Sequence, residues 1–107
     1  MAKLQTWYLS EAHRDHPGAG CLLAALGADA ARQGGPVRAA VTEGVRAMVE
    51  LMARLVPGRS KAVKRRKALA AYASMVGALV LARAVEDEEL SVEILQATAE
   101  GLGVSPG

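Results

Sequence analysis

Hydrophobic positions along the chain recur with helical spacing. The clearest run is 36–56, where Val37, Val41, Val45, Met48, Met52 and Leu55 follow one another at steps of three and four. Arg38, Thr42, Arg46, Glu50 and Arg54 form the opposite stripe, and Glu50 is spaced to pair with Arg46 and Arg54 at i±4. Pro36 suits the first turn of this helix, where its missing N–H costs nothing, and Pro57-Gly58 ends it. Ser60 then supplies an N-cap for the longest helix, 60–85. Its first turns are basic, and its second half, ALAAYASMVGALVLA, is apolar on every side. A helix apolar all round has to be covered all round. A domain of four or five helices covers one side of it, so the other side needs a partner.

The remaining elements are shorter. Residues 2–9 read as the end of a helix, with Leu4 and Tyr8 on one face, too short to be stable alone. HRDHPGAG (13–20) reads as a loop, punctuated by Pro17, Gly18 and Gly20. GCLLAALGADAARQ (20–33) reads as a helix that turns Leu22, Leu23, Leu26 and Ala30 inward. EDEE (86–89) is expected as a turn, and Ser91 as the cap of the last helix, with Glu93 near its positive end. Ile94, Leu95, Thr98 and Leu102 give that helix its stripe, and Gly101 and Gly103 end it. The fold class is all-α: about five helices in a single domain over 1–107, a bundle-like core with orthogonal packing. No internal repeat or low-complexity segment interrupts it.

Composition sharpens this picture at a few points. Ala, Leu and Val dominate a hydrophobic content of 51%, and Trp7, Tyr8 and Tyr72 are the only aromatics, which favours helix over sheet. A net charge of +2 is too small to mark a nucleic-acid binder. One cysteine, Cys21, excludes an internal disulfide and points to a reducing cytoplasm. No signal peptide is visible, and the longest apolar stretch, 68–82, is interrupted by Ser74 and too short to span a bilayer. No membrane association is expected.

Candidate chemistry is sparse. His13 and His16 flank Arg14-Asp15, but His-x-x-His without a third ligand at a recognised spacing reads as loop polarity rather than zinc. Cys21 lies near a helix N-terminus, which lowers a thiol pKa, yet its neighbours have core character and no orienting partner for a nucleophile is evident. Gly18 and Gly20 have neither a preceding strand nor a following Lys-Ser/Thr, so they do not form a phosphate-binding loop. The run KAVKRRK reads as a solvated face or an ion-pair partner, because no aromatics are interleaved for base stacking. No enzyme activity, cofactor or metal is expected.

Three segments, carrying four motifs in order, show a family resemblance. YLSEAHRDHPGAGCLLAALGADAARQ (8–33), GPVRAAVTEGVRAMVELMARLVP (35–57) and RRKALAAYASMVGALVLARAVEDEELSVEIL (65–95), the last holding both a G-A-x-x-LARAV and an LS-x-EIL pattern, resemble the C-terminal half of TetR-type transcriptional regulators over about residues 4–102. The resemblance implies a cytoplasmic homodimer that senses a small molecule, with the last two helices of each subunit forming a four-helix bundle. The expected dimer residues are Leu69, Ala73, Val76, Gly77, Leu79, Val80, Ile94, Leu95 and Thr98. The expected effector pocket holds Trp7, Tyr8, His13, Leu22, Leu26, Met48, Met52, Tyr72 and Met75, with Tyr72 and His13 as polar contacts and a neutral or lipophilic ligand. Core packing without a ligand accounts for the same apolar stripes, which leaves a small helical homodimer as the alternative. The chain departs from the family pattern in one respect: only seven residues precede Tyr8, where the family carries its helix-turn-helix.

This reading predicts no sequence-specific DNA binding by this chain. Any binding through KAVKRRK should be lost on moving from low to physiological salt, because it rests on counterion release. A mobility shift on a defined operator that survives both physiological salt and excess competitor DNA is the contrary result.

Overall fold

The computed structural model describes residues 2–15 and 34–103. All regular structure among them is helical, with no strand. The elements are α1 (Ala2–Tyr8), α2 (Glu11–Asp15), α3 (Pro36–Leu55), α4 (Lys61–Ala84) and α5 (Glu88–Gly101). The helix expected at 20–33, with Leu22, Leu26 and Cys21, lies outside the described residues, as does His16.

Local chemistry sets most of the boundaries. Gly35 precedes α3 at φ 55, a left-handed conformation that glycine adopts without strain, and Pro36 opens the helix. Val56 leaves the helix in extended geometry just before Pro57, as the pre-proline position favours. Ser60 caps α4, its hydroxyl accepting from the Val63 N–H at 3.2 Å. The start of α5 differs from expectation. Asp87, not Ser91, is the N-cap, its carboxylate accepting from the Leu90 N–H at 3.1 Å. Glu88 and Glu89 therefore belong to the first helical turn, where carboxylates complement the helix dipole, rather than to a turn. Residues 13–15 likewise lie in α2 instead of a loop.

Short connections make α3, α4 and α5 run alternately up and down. α4 lies between α3 and α5 and also contacts α1 and α2. The result is a slab, 38 × 36 × 18 Å. Its core joins Tyr8 and Leu9 to Val49 and Met52 of α3, to Ala68, Ala71, Tyr72, Met75, Ala78, Leu79 and Ala82 of α4, and to Leu95 and Ala99 of α5. Alanines on the inward side of α4 let its neighbours approach closely. The apolar stripe of α3 is rotated from the expected one. Val49, Met52 and Val56 are buried, whereas Val37 and Leu55 at the ends of the expected stripe are exposed. Arg46 pairs with Glu43 at 3.0 Å rather than with Glu50.

By length and composition alone α4 is apolar enough to cross a bilayer, with an 18-residue window of mean hydropathy 1.3. The expectation from 68–82 counted only its apolar half. Core helices of soluble proteins pass the same test, so α4 says nothing about location.

Because Met52 is fully buried against α4, Met52→Ala should destabilise the fold by about 2–5 kcal/mol. A shift in the urea midpoint at unchanged slope measures this, and a loss below 1 kcal/mol would mean that the site collapses without cost.

Candidate functional site

The broad face of the slab built by α4 and α5 is apolar and bare. Its inward residues are consumed by the core, and its outward residues follow one strip. Leu69, Ala73, Gly77, Val80, Leu81 and Ala84 recur at helical spacing along α4, and all are exposed. Leu69 is 43% exposed, Val80 41% and Leu81 56%. Large apolar side chains at such values, contiguous on one face, distinguish this surface from scattered exposed leucines. Between the two helices runs an open groove of about 420 Å³ lined by Ala73, Ser74, Gly77, Ala78, Leu81, Ile94, Thr98, Gly101 and Leu102. The hydroxyls on it are turned back to their own helices, Ser74 donating to the Ala70 carbonyl and Thr98 to the Ile94 carbonyl, both at 2.8 Å. They therefore add little polarity to the groove. A Cβ placed on Gly77 or Gly101 would meet no atom within 4 Å, so the floor is open above both glycines.

Opposite charges mark the two ends of α4. Arg54, Arg59, Lys61, Lys64, Arg65, Arg66 and Lys67 surround its start, and no acidic residue occurs between Glu50 and Glu86. Arg54, Arg59, Lys61, Arg65 and Arg66 are exposed, and none of these seven cations forms an ion pair among the described residues. Lys67 donates from Nζ to the Pro57 carbonyl at 3.0 Å, which ties the 56–60 loop to α4. Glu86, Asp87, Glu88 and Glu89 surround the far end, where an open acidic groove also takes in Glu11 and Glu93.

That acidic corner is fixed by Arg14, which the sequence placed in a loop. Arg14 is buried. Its Nε and Nη2 donate to the two carboxylate oxygens of Asp15 at 2.8 and 3.3 Å, and Nη2 also donates to Glu88 Oε1 at 2.9 Å. Nη1 donates to Ser91 Oγ at 2.7 Å, and the buried Ser91 hydroxyl donates to the Ala82 carbonyl at 2.7 Å. Arg83 Nε donates to the Arg14 carbonyl at 3.0 Å. The Asp15 hydrogen bonds, helped by Glu88 and opposed by burial, raise the guanidinium pKa above its ordinary value. This network joins α2 to the corner between α4 and α5. Its one sequence signal is an Arg beside an Asp, which is too common to have found it.

The expected pocket residues are divided. Tyr8, Met52, Tyr72 and Met75 come together, but as one buried cluster with Met48 packed against it. Trp7 is 47% exposed, on the side of α1 away from the inward face of Leu4, Gln5 and Tyr8, so it points out rather than in. His13 lies in α2, and its side chain is outside the described part. Neither groove contains any of these residues. The expected dimer residues are also divided. Leu69, Ala73, Gly77 and Val80 are outward, and Val76, Ile94 and Thr98 are half-buried at the edge. Leu79 and Leu95 are core residues of the protomer itself, because they fall on the inward faces of α4 and α5.

No group of three or more His, Cys, Asp or Glu side chains suited to a metal ion occurs among the described residues. No family model matches the chain, and no curated protein or solved structure does either.

The corner network gives a specific expectation. Ser91→Ala removes the acceptor of Arg14 Nη1 and the donor to the Ala82 carbonyl, so stability should fall by about 1–3 kcal/mol. Equilibrium unfolding in urea measures the loss, and an unchanged midpoint would assign the network to the surface.

Proposed function

We propose that the chain is the dimerisation and effector-sensing module of a TetR-type transcriptional repressor, working as a cytoplasmic homodimer through α4 and α5. The observation that supports this reading best is the bare apolar strip Leu69, Ala73, Gly77, Val80 and Leu81 beside the α4–α5 groove. Two copies packed there would bury the strip against its own counterpart, as a two-fold interface requires. Small residues at Ala73 and Gly77 suit the close approach of helices. Ligand sensing in this reading uses the cluster around Tyr8, Met48, Met52, Tyr72 and Met75, where methionines repack easily around a neutral, lipophilic molecule. The same continuous packing favours a second reading, a helical homodimer that joins partners and binds no effector.

The two parts separate by experiment. Sedimentation equilibrium at micromolar concentration should give the mass of a dimer. Gly77→Arg, whose Cβ meets nothing within 4 Å, should give a folded monomer. A monomeric native chain overturns the dimer. For sensing, a lipophilic probe should raise the urea midpoint of the native chain, and Met52→Ala should weaken that effect while circular dichroism stays helical. A native dimer with no response to such probes selects the ligand-free reading.

A further inference from the structure

We infer that two copies meet on this face in one orientation, with their α4 helices antiparallel and crossing at Gly77, and that the basic collar of each copy seats on the acidic corner of the other. The inference rests on the proposed dimer and adds its register and its ionic control.

The placement of the charges carries it. Arg65, Arg66 and Lys67 lie ten to twelve residues before Gly77, and Glu86 to Glu89 lie nine to twelve residues after it. An antiparallel pair that crosses at Gly77 therefore brings each collar, about 15–18 Å from the crossing at 1.5 Å rise per residue, past the partner's Ala84, about 10 Å out, to the corner that follows it. The strip itself continues into the collar, because Arg66 lies seven residues before Ala73 on the same face of α4. At a shallow crossing of about 20° the axes diverge sideways by only about 6 Å at that distance, within reach of an Arg or Lys side chain. At the steeper class, near 50°, they separate by more than twice as much and the charges miss. A parallel pair would set collar on collar and corner on corner, which like charges oppose.

The collar is available for this role. Its cations have no ion-pair partners among the described residues. Its backbone is also held in place, because Gly58 packs so closely on α4 that a Cβ there would lie 2.9 Å from Lys64 Cγ. On the acidic side the carboxylates divide their work. Glu88 turns to Arg14 and Asp87 caps α5, whereas Glu86 and Glu89 are exposed and make no ion pair among the described residues.

A charge-exchange experiment on the full chain tests the arrangement. Arg65→Glu/Arg66→Glu and Glu86→Lys/Glu89→Lys are prepared as two separate variants, with circular dichroism to check the helices. Alone, each should dimerise at least about tenfold more weakly than the native chain, because like charges then meet at both ends. Mixed one to one, they should form a heterodimer of near-native affinity, since every collar again meets a corner of opposite sign. The native dimer should also weaken in 1 M salt, where the Debye length falls to about 3 Å. Recovery in the mixture is its own control for folding. Native-like dimers of both variants, or a mixture no tighter than its parts, overturn the register while leaving the dimer standing. A native chain that is monomeric at every salt concentration overturns both.

Discussion

Every described element touches α4, and this single helix is apolar on more of its surface than one protomer covers. The limit is geometric. α3 and α5 flank it and α1 and α2 contact it as well, yet Leu69, Val80 and Leu81 remain 41–56% exposed on its outer side. One broad side of α4 is thus left to solvent. The core depends on this helix in another way. Ala68, Ala71, Ala78 and Ala82 supply close approach rather than bulk, so the space is filled by a few large groups, chiefly Met52, Met75, Leu79 and Val49. A core that rests on few large side chains is sensitive to the truncation of any of them.

The corner between α4 and α5 shows a different kind of constraint. A buried guanidinium has to be surrounded by acceptors, and Arg14 finds them in Asp15, Glu88 and Ser91. Pairing of this kind contributes less to net stability than its absence would cost, because a lone buried cation is expensive. Its effect is placement. α2 is bound to the first turn of α5, and the acidic corner is held in one geometry instead of trailing from a loose turn.

Features that depend on spacing or on a cap were legible in the sequence. The helical period, Pro36 at the start of α3 and Ser60 at the start of α4 all follow from rules about neighbouring residues. Features that depend on tertiary partners were not. Ser91 and Asp87 are both good caps, and the choice between them was made by Arg14, a contact 77 residues away in the chain. Spacing alone draws the stripe on α3 through Val37 and Leu55, although Val49 and Val56 complete the buried face, since valine positions on two adjacent faces fit the same period. Leu79 and Val80 are one residue apart on an all-apolar helix, so periodicity could not say which points inward. The aromatic character of Trp7 suggests an inward position, whereas the inward face of α1 is set by Leu4, Gln5 and Tyr8.

The charges on α4 run against the usual electrostatics of a helix. Cations crowd its N-terminus, where the macrodipole is positive, and apart from Arg83 the charges beyond its C-terminus are acidic. For α5 the same acidic corner is favourable, because it lies at that helix's N-terminus. The collar opposes the dipole of its own helix and, among the described residues, pairs with no carboxylate. An antiparallel neighbour removes the conflict at both ends at once: it presents a negative helix end and acidic residues beside the collar, and a positive helix end and basic residues beside the corner. The charge order along α4 is thus poorly suited to a helix standing alone and well suited to one lying beside its own inverted copy, on the face that its apolar strip already leaves uncovered.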